Sequence, residues 1–384
     1  MRKYLARRLF QIVITMFIYL TIVFIIIQAQ PGDITDMYIM NPKIPPEARE
    51  AIRHQLGLDR PLIIQYFAYL RNVVTGNLGR SFIYYPTPVW DIIKQRLPRT
   101  VVLFLTALLI YYSIGFQLGK IIAWKRGGVT EYSATIVGVF LWTVFTPWWA
   151  LLMIYIFAFK LHWFPIGKFI TVEIWRHFDI SPNYVFNMML LVAGAATFFT
   201  FLLYWLVKRF GRRRTARIVG IGGAILSVAV ILYLLFSTTV GYLARDIIWH
   251  MILPIFTLVT IGFGGSMLLM RDSMLETIRE DYIMAAKAKG LPDKVVRDKH
   301  AARNALLPIV TSFILALATV IDGGIITETI FSWPGMGLTL LNSVLQEDMP
   351  LAVGTFIFTG VFLLFAHLVA DLLYAYLDPR IKYG

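Results

Sequence analysis

The sequence predicts an all-α polytopic membrane protein of about eight spans, on three observations. Of its 384 residues, 58% are hydrophobic and only 15% are charged, well away from the make-up of a soluble domain. The apolar residues gather into runs of ~20, the length a helix needs to cross a hydrocarbon layer ~30 Å thick. Lys and Arg fall in short clusters between these runs, and the basic connections alternate as the positive-inside rule requires.

The first run, 9–28, follows Arg2, Lys3, Arg7 and Arg8 and lacks a small-residue cleavage site, so it reads as a retained anchor (1–30) with a cytoplasmic N-terminus. Residues 31–99 read as an extracellular helical lobe. One helix, 47–56, is stopped by Gly57; a second, 62–74, puts Ile64, Phe67, Leu70 and Val74 on one face, with Gly76 beyond its end. Runs 101–124 and 133–157 follow, in the segment 100–169. A hydrophobic hairpin, 170–246, carries runs 188–207 and 218–236. The C-terminal segment, 247–384, has runs 249–270, 306–326 and 351–376, with a polar loop at 271–305. The inside set is then the N-terminus, Lys125 with Arg126, the cluster Lys208, Arg209, Arg212, Arg213, Arg214 and Arg217, the polar loop, and a cytoplasmic tail with Arg380 and Lys382. Six spans plus a hairpin packed elsewhere is the alternative count.

The stretch 281–308, DYIMAAKAKGLPDKVVRDKHAARNALLP, is basic and helix-patterned between two membrane-length runs. Leu275, Ile278, Tyr282 and Ala285 fall on one helical stripe, with Glu276, Arg279, Glu280 and Lys287 off it. Gly290 supplies a left-handed stop and Pro292 forbids continuation. A second short helix through Val295, Val296 and Lys299 then turns back across the first, giving a helical knob at the membrane surface.

Ala285, Ala286 and Gly290, followed by Arg303, Asn304, Leu307 and Pro308, resemble the coupling loop of ABC importer permeases. The long gap from Gly290 to Leu307-Pro308 is similar to that of the dipeptide/oligopeptide/nickel family, although Met284 stands where the general motif has Glu. The resemblance extends through Pro31-Gly32-Asp33, Gly57-Leu58-Asp59-Arg60-Pro61, Gly76-Asn77-Leu78-Gly79-Arg80-Ser81, Glu328-Thr329-Ile330-Phe331-Ser332-Trp333-Pro334-Gly335-Met336-Gly337 and Asp378-Pro379-Arg380, in the order of that family's B-type subunit. It implies a type I ABC importer transmembrane domain with a six-span core. The expected partners are a paralogous permease subunit, two ABC ATPase subunits, an extracellular solute-binding protein and membrane lipid. ATP and Mg would sit on the ATPase subunits, and this chain would bind no cofactor. Tyr282, Ala285, Ala286 and Gly290 would form the docking surface; Arg303 and Asn304 would tie the second short helix to it, ahead of Pro308. The departure from the family is the hairpin, an inserted pair of spans. It reads as peripheral and lipid-facing, with Gly220, Gly222 and Gly223 allowing close packing.

Gly119-Lys120 and Gly167-Lys168 lack the upstream glycine and following Ser or Thr of a phosphate-binding loop, so no ATPase site is expected. The net charge of +14 is dispersed among the connections, which argues against nucleic-acid binding, and the absence of Cys excludes thiolate metal sites. There is no HExxH, and Ser266 lacks the glycine that would follow a serine nucleophile. Ionisable groups near spans need a reason. Asp322 and Glu328 are candidates for a substrate path with Trp142, Trp148 and Trp149; Asp371 reads as a partner for Arg380. An ion-coupled secondary transporter using Asp322 and Glu328 is the rival reading. Short peptides, oligosaccharides and nickel all remain open as substrates.

Overall fold

A computed structural model describes residues 2–29, 60–210, 213–320 and 324–377. Among these the secondary structure is helical apart from one isolated bridge, Arg80 to Pro88. Among the described residues seven helices are long and apolar enough to cross a membrane, or eight if a pair bent by 104° is counted as one broken span. The backbone divides into two compact units, 1–150 with 255–384, and 151–254. Asp322 and the expected helix 47–56 lie outside the described residues, and Asp371 has a described backbone only.

In the first unit α1 (Arg2–Gln28) packs on the C-terminal helix through Leu20 and Val23 against Ile357, and the Tyr19 hydroxyl donates to the Phe356 carbonyl at 2.6 Å. Helix α2 (Leu62–Val74) leans on α1, with Tyr66 and Thr21 hydroxyls 2.6 Å apart. Its packed face is Tyr69, Leu70 and Val73. The expected face is corrected: Ile64, Phe67 and Val74 are exposed, because the aromatic rings rather than the aliphatic stripe meet α1. Gly76 follows α2 with φ +71°, the left-handed stop its position called for.

Helix α3 (Val89–Trp124) begins twelve residues before the apolar run expected at 101, so 89–99 belong to the span and not to a separate lobe. Helix α4 (Val129–Thr143) and α5 (Thr146–Met153), which continues as a π-helix (Ile154–Lys160), bend by 104° at their junction. This replaces the single straight span read at 133–157. Pro147 has no N–H to return to Thr143, and Val144 is extended at ψ 139°, so the helix breaks there. The C-terminal half of α9 (Thr239–Thr277) runs past α3 and α4 on glycines. A Cβ at Gly119 would stand 2.6 Å from the Met267 carbonyl oxygen, and Gly138 and Gly264 face each other backbone to backbone.

The second unit holds α6 (Val172–Trp175) and the antiparallel pair α7 (Pro182–Phe210) and α8 (Arg213–Ser237). Gly220 and Gly223 face α7 at Tyr204 and at Thr200 with Leu203, whereas a Cβ at Gly222 would meet nothing. Thr200 and Ser227 hydroxyls join the two helices at 3.0 Å. The organising polar group is Asp246 near the start of α9. Its buried carboxylate accepts from the Thr171 amide (2.9 Å), the Thr171 hydroxyl (2.6 Å) and the Trp175 indole (2.8 Å). Asp246→Ala leaves three donors without their acceptor, so a loss of at least about 3 kcal/mol is expected at 1–3 kcal/mol per buried orphan, read as thermal unfolding in detergent. An unchanged midpoint would show that these bonds are not formed.

Candidate coupling site and solute cleft

Helix α9 ends at Thr277, and after a three-residue turn α10 (Asp281–Ala288) starts a new direction. Ile283 and Ala286 turn inward and join Met270, Met274, Val296, Ala302, Ala305 and Ile309 in one apolar cluster, packed beside Trp124 at the end of α3. Tyr282, Ala285 and Gly290 face outward. The expected docking set is thus divided: Ala286 anchors the knob, and Tyr282 with Ala285 forms its outer surface. Gly290 has φ +71° beyond the helix, and a Cβ there would meet no atom within 4 Å, so backbone conformation alone demands glycine.

The expected second short helix is not separate. Helix α11 (Asp293–Val295) passes through a π-helical turn (Val296–Ala301) directly into α12 (Ala302–Thr319), so Val295, Val296 and Lys299 begin the next span. The Asn304 amide, on α12, donates to the Tyr282 hydroxyl at 2.7 Å. Arg303 is exposed and lines a shallow pocket with Phe116, Asp298 and Lys299, and Pro308 lies inside α12. Two ion pairs lock the base of the knob. Lys120 of α3 meets Asp298 of the π-turn at 3.4 Å, and Arg271 of α9 meets Glu131 of α4, its Nε donating at 2.9 Å. Lys287 lies over the Trp124 ring at 5.1 Å. α10 therefore touches α3 directly, through Lys287 over Trp124, and reaches α4 only by way of Arg271 on α9.

Glu328 sits on α13 (Ile325–Ile330), a short helix outside the apolar spans, and is fully buried. Thr100 of α3 donates to its carboxylate at 2.7 Å and accepts from the Met336 amide at 2.7 Å, while the Leu338 amide donates to its other oxygen at 2.9 Å. A Cβ at Gly335 would overlap both the carboxylate and Thr100. Trp333, also fully buried, donates its indole N–H to the Arg99 carbonyl at 3.2 Å. The string 328–337 is thus a latch between α13, α14 (Met336–Leu345) and α3. Burial pushes the Glu328 carboxyl up to about 7, against hydrogen bonds from Leu338 and Thr100 that pull it down. Glu328 presents no surface to a solute in this structure. Another buried acid, Asp348, went unnoticed in the sequence. It accepts from the Ser81 hydroxyl and the Ile83 amide (3.1 Å) and caps α15 (Met349–Leu377) through the Leu351 amide (3.2 Å).

The tryptophans do not act as a set. The Trp149 indole donates to Thr260 at 2.9 Å, and the Trp142 ring covers Gly265 one turn further along α9. Trp148 is exposed. Only Trp142 lines the cleft of about 580 Å³ bounded by Tyr111, Tyr112, Ser266, Ser312 and His367.

The chain matches the family described as binding-protein-dependent transport system inner membrane component over residues 115–383, and that family's N-terminal part over residues 1–104. The chain belongs to this family. It is 30% identical to the di/tripeptide transport system permease protein DppB of Pseudomonas aeruginosa, over 100% of this chain and 99% of the relative. It is 30% identical to the oligopeptide transport system permease protein AppB of Bacillus subtilis, over 94% and 93% of the two chains. With the dipeptide transport system permease protein DppB of Escherichia coli the identity is 31%, over 100% and 99%. The type I ABC importer domain expected from the sequence is therefore present, and the chain is the permease subunit of an ABC importer. It is a multi-pass inner-membrane component without an ATPase site of its own, and such a permease works with a partner permease, ATPases and a substrate-binding protein. The ion-coupled carrier finds no support among these relatives.

Proposed function

We propose that this permease passes short peptides, delivered by an extracellular solute-binding protein, into the cytoplasm, and that α10 is the part gripped by an ATPase subunit. The observation that carries the coupling half is the division of α10: Ile283 and Ala286 bind it to the ends of α3, α9 and α12, and Tyr282 and Ala285 are left outward. Closure of two ATPase subunits carrying ATP and Mg would push this rigid knob, and the Lys120–Asp298 and Arg271–Glu131 pairs would pass the push to α3 and α4. The basic connections support cytoplasmic N- and C-termini, which puts the connection between α1 and α3 outside. The partner permease would be a paralogue closing the Trp142 cleft from its open side. The peptide assignment rests on the names of the relatives.

The test is uptake by the reconstituted complex with its binding protein, offered labelled di- to pentapeptides and labelled gluco-oligosaccharides side by side. ATP-dependent peptide uptake is expected. ATP-dependent sugar uptake alone would move the chain to an oligosaccharide branch, and uptake without ATP would overturn the coupling reading.

A further inference from the structure

Resting on the peptide reading above, we propose that the cleft beside Trp142 takes the carboxylate end of the passing peptide, and that His367 is the residue that meets it. His367 lies on α15, inside the span Met349–Ala370. An ionisable group at that depth is costly unless it faces water or a solute, and this one lines the cleft of about 580 Å³. Its ring is exposed within the chain and makes no hydrogen bond or ion pair with any described residue. Neither the coupling knob nor the Glu328 latch uses it.

The other lining groups leave the carboxylate to His367. The Tyr111 and Trp142 rings lie against α9 at two glycines one turn apart: a Cβ at Gly262 would stand 2.7 Å from the Tyr111 ring, and one at Gly265 2.6 Å from the Trp142 ring. Ring faces suit apolar side chains and an ammonium rather than an anion. The small hydroxyls are engaged elsewhere. Ser266 donates to the Tyr111 carbonyl at 3.1 Å, Thr319 donates to the Ala316 carbonyl at 2.9 Å, and the Tyr112 and Ser312 hydroxyls bond each other at 2.7 Å. Among the described lining residues none is Asp, Glu, Lys or Arg, so His367 is the one able to carry a positive charge. A zwitterionic peptide in the cleft is thereby oriented, with its carboxyl end on α15 and its amino end toward the rings of α3 and α4.

The test uses the reconstituted complex with its binding protein and ATP, and leucine tripeptides carrying photo-leucine at either the first or the last residue. A change in the permease leaves capture by the binding protein untouched, so altered uptake reports on the permease itself. His367→Leu is expected to lower tripeptide uptake at least about tenfold, the worth of a hydrogen bond to a charged group, while hydrolysis stimulated by the loaded binding protein persists. His367→Gln, which keeps an N–H donor, is expected to recover most of the loss. In wild type, illumination during turnover should label α15 around His367 from the last residue of the peptide, and α3 or α4 from the first; this labelling decides the matter even if His367→Leu fails to assemble. Absence of tripeptide uptake by wild type would overturn the peptide reading beneath the proposal. Wild-type uptake combined with undiminished uptake by His367→Leu, a parallel fall in its hydrolysis, no recovery by His367→Gln, or labelling of α15 from the first residue or from neither would overturn the carboxylate site alone.

Discussion

Glu328→Ala is expected to destabilise the protein by about 3 kcal/mol or more. The substitution strands the Thr100 hydroxyl and the Leu338 amide in a buried site, each at a cost of roughly 1–3 kcal/mol, and leaves a cavity under Gly335. Glu328→Gln should be milder, about 1 kcal/mol, because its carbonyl can still serve Leu338 and its amide can donate to Thr100, which has a second lone pair. The wild type should also show a pH slope that Gln removes. The Glu328 carboxyl is raised from 4.5 to about 7, so the folded state holds the proton more tightly than the unfolded state does. The stabilisation is complete below about 4.5 and is lost as pH rises through about 7. Thermal unfolding of detergent-purified protein across pH 5 to 8 reads both effects. Equal midpoints for wild type and Glu328→Ala would mean that the latch is not closed.

Gly290→Leu is expected to uncouple the importer. The side chain meets nothing within this chain, so its internal cost is limited to the left-handed backbone, roughly 1–2 kcal/mol for a residue with a Cβ. Outward it adds bulk just past the end of α10. A docking penalty of about 1.4 kcal/mol corresponds to a tenfold loss, so solute imported per ATP should fall at least tenfold while the ATPase subunits keep hydrolysing. Normal uptake by this variant would show that the tip of the knob touches no partner.

The spans were legible because run length and alternating basic connections are properties of the chain itself, and Gly290 and Gly76 were legible because few other residues tolerate their φ. The face of α10 was not. In an eight-residue helix holding three alanines, the Tyr282–Ala285 stripe and the Ile283–Ala286 stripe look alike until Met270, Met274 and Val296 choose one. The second short helix was misread because Pro292 does start a helix, but nothing between Val296 and Ala302 breaks it. Pro147 was the available sign of the 104° bend, hidden by the apolar residues around it. Glu328 drew notice as a charge near a span, yet its role depends on Thr100, which is 228 residues away. Asp348 and Asp246 were invisible for the same reason, because a buried acid is recognised by the donors around it.

The most direct test of the account is a crosslink from Ala285. The chain has no cysteine, so Ala285→Cys gives a single reactive site on the outer face of α10, and Val74→Cys gives an exposed control on α2. With a short bifunctional thiol–amine reagent on the assembled importer, Ala285→Cys is expected to yield an adduct with an ATPase subunit and Val74→Cys none. An assembled, ATP-dependent importer in which Ala285→Cys gives no such adduct would contradict the coupling role assigned to α10.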